Sequence, residues 1–128
     1  MTRNVQLVAI GVALLAGMAT LSAQQARTVE GTLVDAKCYL SDNRNTGTDH
    51  GDMKGCGPMC LKMGSPAAVL AADKTVYTIA APASDLADYV GQTVRVTGPV
   101  TSGVILAQTA EVNRSGSWQP IKLSGMMK

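Results

Sequence analysis

The sequence predicts a mainly β domain, and three observations support that fold class. Short runs rich in β-branched and apolar residues recur at 27–36, 67–72, 75–80, 93–100 and 104–113. Turn-forming residues separate neighbouring runs, as in the predicted hairpin around Asp73-Lys74. Regions with a helical character are few and short. The chain is therefore expected to be mostly sheet, with one or two short helices.

Each predicted element has local signals at its ends. The first strand contains Gly31, which is typical of a bend or bulge. A first short helix over 58–63 is favoured by Pro58 in its first turn and by Gly64 as its stop. A second short helix over 84–90 has a serine at its start and a glycine after it.

The order of these elements predicts a closed architecture. A strand, a cysteine-containing loop, two strands, a helix and two more strands is the layout of a five-stranded Greek-key barrel of the OB type. Gly31 and Gly98 could supply the bends of such a small OB-like barrel. An open sheet with two helices is the alternative. The barrel domain is assigned to 24–113, and the C-terminal tail, 114–128, has turn residues and no clear period.

Residues 1–23 are predicted to be a secretory signal peptide. Arg3 provides a basic start, and the apolar run 7–21 is shorter than the roughly 20 residues that a membrane-spanning helix needs. Cleavage is expected after Ala23, and an uncleaved N-terminal anchor is the alternative. The protein is therefore expected to be exported, periplasmic or extracellular, with no stable membrane insertion once the signal is removed.

Composition argues against several function classes. The net charge is only +2, and the chain has three tyrosines, one tryptophan and no phenylalanine. Because single-stranded nucleic acid is bound by a basic groove with stacking aromatic rings, no nucleic-acid partner is predicted. The single histidine without a nucleophile elbow argues against a Ser-His-Asp triad. A phosphate loop and a dinucleotide fingerprint are also missing from the sequence. These observations favour a non-enzymatic protein and leave thiol-disulfide exchange as the enzymatic alternative.

One stretch, HGDMKGCGPMCLKMGSP at 50–66, carries most of the chemistry. With the cysteine that ends the first strand, it offers three sulfurs and one imidazole, a donor set that suits Zn²⁺. We call this predicted ligand set the cysteine–histidine set: Cys38, His50, Cys56 and Cys60. The soft thioethers of Met53, Met59 and Met63 are weaker candidate ligands and bias the stretch toward Cu(I). Zinc or copper is the expected cofactor.

Other interpretations of these residues stay open. A disulfide from Cys38 to Cys56 or Cys60 would staple the loop, and closing about 20 residues contributes roughly 3 kcal/mol. A helical Cys56–Cys60 bridge would be strained, because i,i+4 Cβ atoms lie about 5–6 Å apart and a disulfide needs about 3.5–4.5 Å. Redox work is a further possibility, since Cys60 near a helix N-terminus would have a lowered pKa. Asp35 is expected to bond the loop backbone or cap the turn into Cys38. The methionines at 59 and 63 would alternatively form the apolar face of the helix.

The motifs around the cysteines resemble those of a family of small exported bacterial domains with an OB-like barrel. The family pattern is Asp-x-x-Cys, a variable loop, and Cys-x-x-x-Cys shortly before a glycine and the next strand. Here the pattern reads VDAKC at 34–38, CGPMC at 56–60 and LKMG at 61–64. The resemblance covers 31–113 and implies an OB-like fold and export, without implying a particular activity.

Taken together, these observations favour an exported binding or accessory module with a soft-metal site built from the cysteine–histidine set. The first alternative is a disulfide-stabilised interaction domain without a metal, which presents its barrel face to an unknown protein or small-molecule partner. The second is a periplasmic thiol-disulfide oxidoreductase.

Overall fold

The computed structural model describes residues 24–125 and is mainly β, as predicted. One 8-stranded sheet is accompanied by three short helices in this part of the chain. The elements are β1 (Arg27–Asp35), α1 (Ala36–Ser41), α2 (Cys56–Lys62), β2 (Ala67–Leu70), β3 (Val76–Ala80), α3 of the 3₁₀ type (Ala83–Tyr89), β4 (Thr93–Gly98), β5 (Val100–Thr101), β6 (Val104–Leu106), β7 (Thr109–Arg114) and β8 (Ser117–Ile121). The predicted signal peptide, 1–23, lies outside the described residues.

The prediction of a five-stranded barrel is wrong, because the sheet is open and has more strands. Its order is β5-β6-β3-β2-β1-β4-β7-β8, so the edge strands are β5 and β8, which do not pair with each other in the described chain. The last predicted strand, 104–113, breaks at 107–108 into two pieces that pair with different neighbours. Strand β6 runs parallel to β3, whereas β7 runs antiparallel to β4.

The open sheet nevertheless curls back on itself. Strands β6 and β7 are second and seventh in the sheet order, which is about 24 Å apart in a flat sheet. The chain between Leu106 and Thr109 reaches at most about 11 Å. The curl brings backbones into close approach at Gly98, where an added Cβ would lie 1.8 Å from the carbonyl oxygen of Leu106. The lack of a side chain at Gly98 therefore allows the bend that the sequence predicts there.

Apolar residues are buried on both faces of the sheet. The main core joins sheet residues such as Leu33 and Val96 to Leu61 of α2 and Leu86 of α3. A smaller cluster on the short strand β2 and the end of β1 is covered by Tyr39 of α1. Because α1 and α2 sit at the end of β1, this part of the fold positions the cysteines. Within residues 24–125, no helix is both long and apolar enough to cross a bilayer.

The predicted tail contains a strand that its sequence pattern does not indicate. Strand β8 pairs with β7 through a turn at Ser115 and Gly116, both with positive φ, at 52° and 89°. Its residues are mostly exposed, so they lack the apolar alternation by which strands are recognised. Pro120 is tolerated because β8 is an edge strand.

An ion pair between β4 and β7 makes the stability of the domain depend on pH. Arg95 donates two hydrogen bonds to Glu111, at 2.6 and 3.0 Å, and holds the pKa of that carboxyl below its ordinary value of 4.5. The stability that this pair contributes is present above the ordinary pKa and is lost as the pH falls through the lowered one. We therefore expect Glu111→Gln to destabilise the domain at pH 7 but to have little effect at an acidic pH below the lowered pKa of Glu111.

Urea unfolding of wild type and variant at both pH values measures this difference. The control is Asp52→Asn, which removes the same charge from an exposed loop residue. A Glu111→Gln effect of equal size at both pH values would contradict the assignment.

Candidate metal centre

The first cysteine is held by a capped helix at the end of β1. Asp35 is the N-cap of α1, and its Oδ1 accepts a hydrogen bond of 3.1 Å from the backbone N–H of Cys38. This confirms the predicted cap. Ser65, just beyond α2, donates a second bond of 2.9 Å to the same oxygen. Two segments distant in sequence are thereby joined beside the Cys38 thiol.

The loop after α1 folds back so that His50 points into the protein. His50 and Met53 exchange two backbone hydrogen bonds, of 3.0 and 3.1 Å, which form a tight turn. Asp49 accepts a bond of 2.8 Å from the N–H of Gly55 and anchors the turn to the start of α2. His50 is consequently buried, with 4% of its surface exposed.

Close approach of this loop to α2 depends on Gly57. The N–H of Gly57 donates to the carbonyl oxygen of Thr48 at 3.0 Å. A Cβ added to Gly57 would lie 2.9 Å from Val90 Cγ1 and 3.4 Å from His50 Nε2. The absence of a side chain here lets the imidazole lie against the first turn of α2, which also carries Cys56.

These elements bring the cysteine–histidine set close enough to bind a metal ion. The ligand atoms of Cys38, His50 and Cys56 all lie within 4.8 Å of one another. The Sγ atoms of Cys56 and Cys60 are 3.6 Å apart. Two thiolates on one tetrahedral zinc ion, with Zn–S bonds near 2.3 Å, lie about 3.8 Å apart. The spacing of this sulfur pair is therefore compatible with a shared ion, as it is with a thiol hydrogen bond.

The imidazole of His50 has no polar partner. Neither Nδ1 nor Nε2 makes a hydrogen bond to any described residue, although both atoms are buried. Buried polar groups are normally hydrogen-bonded, and an unsatisfied one costs about 1–3 kcal/mol. The neighbouring Asp49 bonds Gly55 and Lys54 instead of the ring. One of these nitrogens could bind a metal ion together with the adjacent sulfurs.

The predicted reactive thiol at Cys60 is not present. Helix α2 begins at Cys56, so Cys60 lies one turn inside the helix. The pKa of Cys60 is raised, chiefly by its hydrogen bond with Cys56 and by burial. Burial and the adjacent negative charge of Asp35 raise the pKa of Cys38 to about 12. Because the thiolate is the redox nucleophile, these environments disfavour Cys38 and Cys60 as redox nucleophiles.

No disulfide forms among the three cysteines of the chain, and each is a free thiol in the structure. The stapled loop considered from the sequence is therefore absent. Hydrogen bonds hold the loop after α1 in place instead. The side-chain amide of Asn45 donates to the carbonyl oxygen of Cys38 at 3.1 Å. The turn at His50 is bonded to α2 as described above.

The methionines lie on the outside of this region. Met53, Met59 and Met63 are 61%, 58% and 80% exposed, so the apolar helix face considered for the last two is wrong. Met63 lines a surface cleft of about 430 Å³ together with Cys38 and Cys60. The other two methionines are not among the residues that line this cleft. Met63 is thus the thioether best placed to meet an ion entering from solvent.

Asp35 is the residue that the sequence analysis did not include among the ligands. A carboxylate oxygen of Asp35 and the thiols of Cys38 and Cys60 form a second group of donors within 4.8 Å of one another. The Asp-x-x-Cys spacing indicates that Asp35 lies near the Cys38 thiol, because it puts Asp35 one helical turn before Cys38. The sequence predicts only a bond to the loop backbone or a helix cap for Asp35, because the position of Cys60 depends on the tertiary fold.

Comparison of the chain with family models, curated proteins and solved structures found no match. The interpretation of the site therefore depends on its own geometry and chemistry.

Proposed function

We propose that this protein is a non-enzymatic binding module that holds a soft or borderline metal ion with the cysteine–histidine set. The convergence of three sulfurs and one imidazole from three separate segments supports this function. Each donor type binds zinc and Cu(I) well, and the mixed sulfur and nitrogen shell suits a tetrahedral ion.

The single observation that carries the proposal is the buried, unpartnered ring of His50 beside Cys38 and Cys56. A purely structural histidine in this position would be expected to use at least one nitrogen in a hydrogen bond. Here the loop turn, the Asp49 anchor and Gly57 all hold the ring where no such bond is made. This arrangement leaves a ring nitrogen free for an ion, and the other nitrogen lacks the hydrogen-bond partner that a ligating histidine normally has.

The donors restrict the metal to two candidates. Three thiolates and an imidazole favour Zn²⁺, whereas Met63 in the cleft favours a contribution from Cu(I). Only Cu(I) would use the thioether as a ligand. Met63→Leu should therefore weaken Cu(I) binding and leave Zn²⁺ binding unchanged, which distinguishes the two candidate metals. Met59→Leu is the matched control, since Met59 lies on the same helix but outside the cleft.

The proposal also includes export and a partner. The signal-like segment 1–23 and the resemblance to exported domains support a periplasmic or extracellular location. The open cleft at Cys38 and Cys60 supports exchange of the ion with a protein or small-molecule chelator. Fractionation of cells that produce the full chain, with mass determination of the mature N-terminus, tests the predicted cleavage after Ala23.

The test of the metal site is the His50→Leu variant. Wild type purified anaerobically should contain at least about one equivalent of zinc or copper, and excess ion should raise its melting temperature. At 100 times Kd the stabilisation is about 2.7 kcal/mol. In His50→Leu, the metal-free protein should be equal in stability or higher by up to about 1–3 kcal/mol, because an unsatisfied polar group is removed. The metal-induced rise should be lost or strongly reduced.

The control is Asn43→Leu, which places the same side chain at an exposed position of the same loop and should keep the full metal response. If His50→Leu binds metal like wild type, or if wild type neither contains nor responds to either metal, the proposed function is wrong.

A further inference from the structure

One buried acceptor remains unexplained by a single ion held by the cysteine–histidine set. Asp35 is completely buried, and its Oδ1 is occupied by the bonds from Cys38 and Ser65. Its Oδ2 is buried and has no hydrogen-bond partner among the described residues. A tetrahedral ion with three cysteines and one histidine has no position left for this oxygen. The cluster therefore holds two unsatisfied buried groups, Asp35 and His50, where a single ion accounts for one.

These two groups belong to two sets of donors that share one thiol. Cys38 is common to the set with His50 and Cys56 and to the set with Asp35 and Cys60. Within each set the donor atoms lie within 4.8 Å of one another. The Sγ atoms of Cys56 and Cys60, one from each set, are 3.6 Å apart. The donors thus form two adjoining triads.

The charge of the cluster also favours two ions. Three metal-bound thiolates and one carboxylate carry four negative charges, and His50 binds a metal as a neutral imidazole. One divalent ion would leave two of these charges uncompensated. The cysteines are partly exposed, but Asp35 is completely buried, and excess negative charge beside a buried carboxylate is unfavourable. Two divalent ions balance the charge.

We propose that the cluster binds two divalent ions, with Cys38 as the shared ligand between a site at His50 and Cys56 and a second site at Asp35 and Cys60. This inference deepens the proposed function and rests on it. The cleft reaches Cys38 and Cys60, so water can complete the second site from solvent. A carboxylate among the ligands selects Zn²⁺ or a similar borderline ion over Cu(I), which prefers soft donors.

The test is the zinc stoichiometry of wild type and Asp35→Asn. Asparagine is as good an N-cap as aspartate, and its carbonyl oxygen can still accept the bonds from Cys38 and Ser65. Asparagine replaces the Oδ2 atom with an amide NH₂ group, whose nitrogen does not bind zinc. Titration of the metal-free protein against a chromophoric zinc chelator, with native mass spectrometry, should give two equivalents for wild type and one for Asp35→Asn. Cadmium NMR of the wild-type complex should show two resonances.

Asp52→Asn is the matched control, because it makes the same change at an exposed position of the loop and should retain two equivalents. One equivalent in wild type overturns this inference and leaves the proposed function standing. Two equivalents of zinc in Asp35→Asn would exclude Asp35 as a ligand and would also overturn the two-ion inference. No binding by wild type overturns both. The number of zinc ions bound by wild type tests the two-ion inference even if a variant does not fold.

Discussion

Replacing Cys38 with serine is expected to weaken zinc binding at both proposed sites. Its thiol is the donor common to the two triads, so its loss affects every ion that the cluster holds. Removing even an outer-shell partner of a metal ligand typically costs 10–100-fold in affinity. Loss of a direct and shared ligand should cost more, and we expect at least about a 100-fold rise in the Kd for the first equivalent. Competition titration against a chelator of known affinity measures it.

The comparison with Cys56→Ser makes this prediction specific. Cys56 belongs to the triad that contains His50, so its replacement should weaken one equivalent and retain the other. Ser41→Ala, an exposed change on the same helix as Cys38, controls for damage to α1 and should bind like wild type. Equal zinc affinity in Cys38→Ser and wild type would show that the cysteine cluster does not hold the metal.

Replacing Gly98 with alanine is expected to have the largest effect on stability. The added methyl group would lie 1.8 Å from the carbonyl oxygen of Leu106, and both partners in this clash are backbone. Relief would require β4 and β6 to separate where the sheet curls. We expect a loss of about 4 kcal/mol or more, which belongs to the exceptional range for single substitutions. Small domains have only about 5–15 kcal/mol of stability in total, so most of it would be lost.

Chemical denaturation followed by circular dichroism measures the effect. Gly47→Ala is the control, since a Cβ at Gly47 would meet nothing within 4 Å. That variant should differ from wild type by less than about 1 kcal/mol, as surface substitutions usually do. If Gly98→Ala were as stable as Gly47→Ala, the close approach that lets the sheet curl would not exist.

The first of these two predictions concerns the metal ligands, and the second concerns the curled sheet that positions them. The curled sheet sets the position of β1, whose end carries Asp35 and the start of α1. Helix α2 is held against β1 and α3 by Leu61, which is fully buried in the main core. A variant that opens the sheet should therefore also lose the metal site, whereas loss of a ligand should leave the fold intact. Comparing both readouts in both variants separates folding from binding.

Several structural features follow from short-range signals in the sequence. The β-branched runs predict β1 to β4 because alternation and β propensity act locally. The cap at Asp35 follows because an acidic side chain readily bonds the N–H groups three residues on. Strand β8 and the split between β6 and β7 escape such analysis, because edge position and pairing partners depend on the curled sheet.

What the sequence by itself determined was the mainly β class, the glycine at the sheet bend and the chemical nature of the donor set. These depend on residue type and near neighbours, so no distant contact is needed to infer them. Only the tertiary structure decided that the sheet stays open, that His50 is buried without a partner, and that Asp35 joins the cysteines. Those facts depend on how segments 30 residues apart pack together, and local propensities carry no information about such contacts.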